Sequence, residues 1–167
     1  MVLKTFQVGD IPEIVAEPFT PEAFLPYGGV ISANHQIKNA TSSAANYGTA
    51  VKLHKVAPIV NNYKDCPSGK KETANWNIFR CTAPSISSRM APLKTHTDQS
   101  FHMQGKPVVT YGVGTWHAPM VVIDEDVPHI DYAVFIHENG VEDEDVQECY
   151  FEPGYQIVYK NPAAAKL

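Results

Sequence analysis

The segment Val109–Met120, with the sequence VTYGVGTWHAPM, has the clearest structural pattern in this chain. It begins with apolar residues typical of a β-strand, and Gly112 and Gly114 then predict a sharp turn or a close approach of the backbone. The turn leads directly to Trp116 and His117. The segment therefore predicts a strand that ends in a tight turn and presents an imidazole beside a large aromatic side chain.

Short strand-like segments recur on both sides of this turn. Thr49–Val56 alternates apolar and polar residues with a period of two, which is the pattern of a half-buried strand. Further strands are predicted at Val30–Ile31, Asn75–Cys81, Met120–Ile123, Asp131–His137 and Tyr155–Tyr159. Thirteen prolines argue against long helices, and one short helix is predicted at Pro21–Phe24 with Thr20 as its N-cap. The predicted fold class is therefore all-β with a short helix or two, arranged as a β-barrel or jelly roll.

Length and charge limit the classes of protein to which this chain can belong. A chain of 167 residues suits one domain that spans residues 1–167, and 44% hydrophobic residues suffice for a core. The formal net charge of −5 and the lack of a dense basic patch make nucleic acid and acidic membranes poor partners. The acidic run Glu142–Asp145 predicts a solvated loop rather than a metal site.

The cysteines and the hydropathy of the sequence indicate the cellular compartment of the protein. The three cysteines are an odd number without CxxC spacing, which favours reduced thiols over disulfides or a zinc site. No apolar run approaches the roughly 18 residues that a membrane-spanning helix needs. The first residues also lack the long apolar segment of a secretory signal. We therefore expect a cytoplasmic protein without a membrane partner.

His117 is the first candidate for chemistry, because histidine is the side chain best suited to move protons near neutral pH. The alternative is a β-turn in which Trp116 and His117 only pack. His96, His102 and His117 could converge on a metal ion, yet the chain lacks the HxH pair that indicates a metal centre in a small barrel. We therefore predict no metal site. The motifs GxGxxG, GxxxxGK[ST], HExxH and GxSxG are absent from the sequence.

Six segments in the same order resemble those of the fungal ureidoglycolate lyase family: Phe19–Ile31, Asn46–Leu53, Asn75–Cys81, Thr97–Phe101, Val109–Met120 and Asp131–Ile136. The resemblance covers most of the chain from Phe19 to Tyr159, and Val109–Met120 is its most specific part. It implies a cupin-like β-barrel and a homodimer. It also implies a carbon–nitrogen lyase of the amidine-lyase class, which cleaves ureidoglycolate to glyoxylate and urea in allantoin and purine nitrogen catabolism.

The chain departs from the family pattern between residues 84 and 108. In the family, further strands separate the Gln-x-Phe segment from the Tyr-Gly-x-Gly-Thr-Trp-His turn, whereas here Phe101 is followed almost directly by Val108. At least two strands are missing by this comparison. Either the protein has lost part of its barrel or the sequence omits internal segments. We expect the second, because loss of interior strands leaves unpaired edges and an open core.

The reaction that the resemblance implies needs two proton transfers and an anchor for the substrate carboxylate. His117 and His96 are the candidates for the proton transfers. Arg80 is the first candidate for the anchor, because a guanidinium binds a carboxylate in a bidentate pair, and Lys94 is its substitute. The other binding candidates are Gln99 for the urea amide and Tyr111 and Trp116 for the pocket wall.

Each of these roles has a structural alternative. Arg80 could instead form a surface ion pair, and Trp116 could instead belong to the core. Two other functions also stay open, namely a metal-dependent cupin isomerase or dioxygenase and a non-catalytic barrel that binds a small acid. We expect that no cofactor is required, and the sequence leaves assistance by a divalent metal ion open.

Overall fold

The computed structural model describes residues 3–7, 9–10, 13–83, 101–103, 107–118, 120–124 and 126–160. The strands are β1 (Leu3–Gln7), β2 (Glu13–Val15), β3 (Glu17–Pro18), β4 (Gly28–Ile31), β5 (Ser42–Ala45), β6 (Ala50–Leu53), β7 (Thr73–Cys81), β8 (Phe101–His102), β9 (Val108–Tyr111), β10 (Ile130–Glu138), β11 (Glu148–Glu152) and β12 (Gln156–Val158). The α-helices are single turns, α1 (Pro21–Phe24), α2 (Ala33–Gln36) and α3 (Glu142–Asp145). Short 3₁₀ turns occupy Asn46–Gly48 and Tyr63–Asp65. The prediction of an all-β fold class is confirmed.

The strands of the described residues pair two by two. β7 with β10, β4 with β9, and β5 with β6 are antiparallel, whereas β1 with β11 and β3 with β8 are parallel. β2 pairs with β12. No sheet within the described ranges has more than two strands. The cupin-like barrel or jelly roll therefore stays a prediction.

The described residues fall into two compact units. The first contains those within Met1–Ile14, Asn61–Asp98 and His117–Val158, and the second those within Val15–Val60, Gln99–Trp116 and Tyr159–Leu167. The prediction of one domain over residues 1–167 stays a prediction. No helix in the described part of the chain is long and apolar enough to cross a membrane.

An aromatic cluster holds the second unit together. Thr20 caps α1 by accepting a hydrogen bond of 3.2 Å from the backbone N–H of Ala23, as the sequence predicts. This cap fixes the helix so that Phe24 is buried. The ring of Phe24 contacts four other rings, those of Phe19, Tyr27, Phe101 and Tyr111. These contacts connect α1 to β8 and β9.

The longest strand pair lies in the first unit. β7 and β10 each have nine residues and pair along their full length, from Thr73 opposite Glu138 to Cys81 opposite Ile130. In the same unit, Phe6 of β1 stacks on Phe151 of β11 with a centroid distance of 5.3 Å.

Two local predictions are wrong. Met120–Ile123 does not form a strand, although Val122 is 2% exposed and belongs to the core. An apolar run can be buried without a ladder partner, so its composition alone does not make it a strand. Glu142–Asp145 is not a solvated loop, because it forms α3 and two of its carboxylates bind neighbouring segments.

Candidate functional site

The turn that leads to Trp116 and His117 is fastened to the backbone of Tyr27. The N–H of Gly112 and the hydroxyl of Thr115 donate to the carbonyl oxygen of Tyr27, at 2.7 and 3.0 Å. The N–H of Thr115 donates to the carbonyl of Gly112 at 3.2 Å, and Gly114 between them has a φ of 70°. The predicted tight turn is therefore confirmed.

Gly28 allows the backbone of β4 to approach the backbone of β9 closely just before this turn. It lies opposite Tyr111 in the pairing of β4 with β9. A Cβ atom at Gly28 would overlap the carbonyl oxygen of Thr110, and its φ of 152° is one that side-chain-bearing residues rarely adopt. Only glycine fits here, so Gly28 sets the register that places Tyr111 at the start of the turn.

Tyr111 joins the turn to the aromatic cluster. Its ring contacts that of Phe24 at a centroid distance of 6.0 Å, and the residue is 40% exposed. Burial raises the pKa of the Tyr111 hydroxyl above its ordinary value.

Beyond the turn, the next two side chains face solvent. Trp116 is 60% exposed, and His117 is exposed as well. In this structure Trp116 is therefore not a core residue. An exposed indole followed by an exposed imidazole leaves both groups accessible to a small molecule.

Arg80 forms a bidentate pair with Asp131. The two residues lie directly opposite each other on β7 and β10. Nε and Nη2 of Arg80 donate to the two carboxylate oxygens, each at 2.8 Å. These hydrogen bonds lower the pKa of Asp131 and raise that of Arg80. One edge of the guanidinium expected to hold a substrate carboxylate is therefore occupied by a carboxylate of the chain itself.

The predicted site residues are only partly described. His96, Lys94 and Gln99 lie outside the described residues. Tyr111 and Trp116 belong to the second unit, at the two ends of one turn, and Arg80 and His117 belong to the first. Each of the seven assignments stays a prediction.

A polar cluster in the first unit was missed from the sequence. It is centred on Asn139, a buried polar residue. The Asp145 carboxylate accepts hydrogen bonds from the N–H groups of Asn139 and Gly140, at 2.7 and 2.6 Å, and from the hydroxyl of Tyr63 at 2.9 Å. Burial opposes ionisation of Asp145, yet these hydrogen bonds prevail and its pKa is lowered. The Asn139-Gly140 pair before an acidic run was the available signal, because Asn-Gly is typical of turns.

Glu144 completes this cluster. Its carboxylate accepts from the hydroxyl and N–H of Ser68, at 2.7 and 2.8 Å, and from the side-chain amide of Asn139 at 2.6 Å. The hydrogen bonds from Ser68, followed by that from Asn139, lower the pKa of Glu144. Asp145 and Glu144 thus tie the loop that contains Tyr63 and Ser68 to the end of β10, which is a structural role.

A groove of about 510 Å³ lies beside this cluster. Its lining residues are Lys70, Lys71, Thr73, Glu138, Asn139, Gly140 and Asp145. The two lysines are balanced by two carboxylates, so the groove has no excess positive charge to select an anionic substrate. Within the described ranges, no group of three or more His, Cys, Asp and Glu side chains could hold a metal ion.

Comparison with known proteins gives a consistent result. The family model described as ureidoglycolate lyase matches residues 11–100 and 90–158. The ureidoglycolate lyase of Saccharomyces cerevisiae is 28% identical over 188 residues, covering 83% of this chain and 93% of that protein. The ureidoglycolate lyase of Schizosaccharomyces pombe is 29% identical over 191 residues, covering 89% and 96%.

The lengths of these alignments show that the relatives have residues that this chain lacks. Both extend over more positions than the 167 residues of this chain, so each relative has residues without a counterpart here. The family model matches in two pieces that meet at residues 90–100. This break falls inside the interval between residues 84 and 108, where the sequence departs from the family pattern.

Proposed function

The chain belongs to the ureidoglycolate lyase family, and we propose from this that it cleaves ureidoglycolate to glyoxylate and urea. The observation that carries the proposal is the family match, which runs from residue 11 to residue 158 in two pieces. The two curated relatives, each matched over more than nine-tenths of its length, support it.

The chemistry sets what the site must do. The substrate has a hydroxyl and a ureido nitrogen on one carbon, which also bears a carboxylate. When the carbon–nitrogen bond breaks, its electron pair stays with the nitrogen, which gains a proton and leaves as urea. The hydroxyl loses its proton and becomes the aldehyde oxygen of glyoxylate. One base and one acid therefore suffice, and no redox step is involved.

We assign these proton transfers to His117 and His96. Support for His117 comes from its exposure at the end of the glycine-containing turn, where a small molecule can reach it. An imidazole can act both as a base and, once protonated, as an acid, so two histidines can divide the two transfers. We assign Trp116 to the wall of the pocket and Gln99 to the binding of the urea amide.

The substrate carboxylate needs a cationic anchor and hydrogen-bond donors. Arg80 can serve either by exchanging Asp131 for the substrate or through Nη1 and the second N–H of Nη2, which Asp131 does not engage. Lys94 is the second anchor candidate. Tyr111 keeps its assignment to the wall of the pocket. We also propose a cytoplasmic homodimer, on the strength of the family resemblance and the free thiols of the three cysteines.

The proposal is tested by product analysis. Purified protein is incubated with freshly prepared ureidoglycolate, glyoxylate is measured directly, and urea is measured as the ammonia that appears only after urease is added. A reaction without protein corrects for spontaneous decay of the substrate. We expect equal amounts of urea and glyoxylate. Ammonia released before urease is added would indicate an amidohydrolase and contradict the proposal.

A second measurement separates the proposed lyase from the other functions considered. The protein is dialysed against a chelator, its metal content is determined, and turnover is measured again. A lyase without a required metal keeps its rate. Loss of the rate, with recovery on addition of one divalent ion, would assign the metal a role. Binding of glyoxylate without turnover of ureidoglycolate would indicate a non-catalytic acid-binding protein.

A further inference from the structure

The hairpin of β5 and β6 brings a serine, a lysine and a histidine to one face. Ser43 lies directly opposite Lys52 in the pairing of these strands, and opposite residues of an antiparallel pair point to the same side. His54 follows β6, and its N–H donates to the carbonyl of Thr41 at 2.8 Å, so the alignment continues beyond the strand. Alternation along the chain places His54 on the side of Lys52. We call Ser43, Lys52 and His54 the polar face of the hairpin.

A hydrogen bond fixes the imidazole on this face. The hydroxyl oxygen of Ser43 and Nε2 of His54 are 2.8 Å apart. When Nε2 carries the ring proton, it donates to the serine oxygen, and the serine O–H is then available to another acceptor. His54 is half-buried, whereas Ser43 and Lys52 are exposed. A polar ligand can therefore reach the serine hydroxyl and the lysine ammonium together.

The sequence around the polar face is positively charged. Residues 23–64 contain four lysines and no aspartate or glutamate, although the whole chain has a formal net charge of −5. Within the residues that the structure describes, Lys52 forms no ion pair. A long segment without carboxylates concentrates positive potential in an acidic protein, and such a field attracts small anions. Arg80, by contrast, already binds the Asp131 carboxylate along one edge of its guanidinium.

The chain that follows the polar face packs beside β9, the strand that leads into the glycine-containing turn. A Cβ atom built on Gly29 of β4 would lie 3.0 Å from the Cβ atom of Ala57. Gly29 itself is paired with Thr110 of β9. His54 precedes Ala57 by three residues, which span at most about 11 Å. All of these residues belong to the second unit, so the polar face lies close to β9 within that unit.

We propose that the polar face binds a small carboxylate and holds the carboxylate of ureidoglycolate during the reaction. The ammonium of Lys52 pairs with one carboxylate oxygen, and the hydroxyl of Ser43 donates to the other. His54 keeps this hydroxyl in place and is a positioning residue. The identity of the ligand rests on the proposed function, whereas the carboxylate site rests on the geometry and charge of this face.

The experiment uses glycolate as the probe, because it is an α-hydroxy carboxylate without an aldehyde that would react with lysine. Imidazole signals are followed by proton NMR at constant ionic strength, and the signal of His54 is identified by its absence from His54→Asn. We expect glycolate to shift this signal saturably, and ethylene glycol, which lacks the carboxylate, to leave it unchanged. Lys52→Met should weaken glycolate binding at least about tenfold, because a charged hydrogen bond is lost. Lys52→Arg keeps the charge and should restore most of the affinity.

Matched variants separate this site from a general effect of charge. Lys38→Met removes another exposed lysine of the second unit and should leave glycolate binding unchanged. Ser43→Ala should weaken binding several-fold, whereas Ser42→Ala should not, because the side chain of Ser42 points to the other side of β5. In steady-state kinetics, Lys52→Met should raise KM at least about tenfold and change kcat much less.

Four results would overturn the inference. The first is a His54 signal that glycolate does not move. The second is a Lys52→Met protein that binds glycolate as tightly as the parent, which would make the contact of Ser43 with His54 a clamp between the strands. The third is an equal loss of binding in Lys38→Met, and the fourth is an unchanged KM in Lys52→Met. The NMR titration needs no turnover, so it decides on the carboxylate site even if the proposed function fails.

Discussion

The guanidinium of Arg80 and the carboxylate of Asp131 meet in two hydrogen bonds of 2.8 Å across β7 and β10. The side chains are 65% and 41% exposed, so water competes for both. Exposed ion pairs are weak, which means that a substrate carboxylate with further contacts could replace Asp131. The same pair could also serve only as a cross-strand contact. These two roles predict different kinetics.

The first prediction compares Arg80→Met with Asp131→Asn. If Arg80 anchors the substrate, Arg80→Met should raise KM at least about tenfold, because the carboxylate loses its charged partner. Asp131→Asn should then leave KM unchanged or lower it, because a competitor for the guanidinium is removed. Steady-state kinetics of both variants provide the measurement. If both variants change Tm alike and leave KM unchanged, the pair is structural and Lys94 becomes the anchor to test.

The second prediction concerns acid stability. The pKa values of Asp145 and Glu144 are lower in the folded protein than their ordinary values of about 4. Their contribution to the free energy of unfolding is therefore fully present above the ordinary values and is lost as the pH falls through the lowered ones. Asp145→Asn should destabilise the protein at pH 7, and the difference from the parent protein should shrink under acid. Denaturant unfolding at several pH values measures both effects.

Tyr63→Phe is the matched variant for this cluster. It removes the hydroxyl that donates to Asp145 and keeps the ring. Loss of one hydrogen bond should lower the free energy of unfolding by about 1 kcal/mol, or roughly 2–4 °C in Tm. Kinetic constants should stay unchanged in this variant. A loss of turnover with unchanged Tm would contradict the structural role of the cluster.

Local chemistry in the sequence was sufficient to predict several elements. The hydroxyl of Thr20 and the proline at position 21 specify the start of α1, because a helix cap depends only on neighbouring residues. Asn75–Cys81 and Asp131–His137 were recognised as strands, and they lie within β7 and β10. The glycines of the turn before Trp116 predicted its sharp geometry, which needs a positive φ at Gly114.

Features that depend on distant partners were not predictable in the same way. Nothing near Arg80 in the sequence shows that Asp131 lies opposite it, because the register of β7 with β10 joins residues 51 positions apart. The side-chain amide of Asn139 also donates to the carbonyl of Lys70, 69 positions away, which no residue beside Asn139 in the sequence indicates. Met120–Ile123 has the apolar composition of a strand but does not form one. Apolar composition indicates that a segment is buried, whereas strand pairing depends on which other segments of the chain lie beside it.

The third prediction tests the close approach at Gly28. Gly28→Ala places a methyl group against the carbonyl of Thr110 and imposes a strained φ, so it should destabilise the protein by about 3 kcal/mol or more. Gly9→Ala is the control, because a Cβ atom there meets nothing within 4 Å. Thermal unfolding of both variants provides the measurement. Equal Tm values for the two would show that the pairing of Gly28 with Tyr111 does not fix the turn.

The fourth prediction concerns His117, which follows the turn fastened to Tyr27 and is exposed. His117→Asn keeps a hydrogen-bonding side chain but removes the imidazole, and a positioned acid or base typically contributes about 10²- to 10⁴-fold in rate. We therefore expect kcat to fall at least about 100-fold, with Tm nearly unchanged and an altered pH profile of kcat.

His35→Asn is the matched control for this change, because His35 is an exposed histidine of α2 to which no role is assigned. It should leave kcat and its pH profile as they are. Added imidazole should restore part of the rate of His117→Asn, since a small base can enter an exposed position. A His117→Asn protein that unfolds would identify a packing residue instead. A folded variant with a normal kcat would assign the proton transfers elsewhere, and His96 would then be the residue to replace.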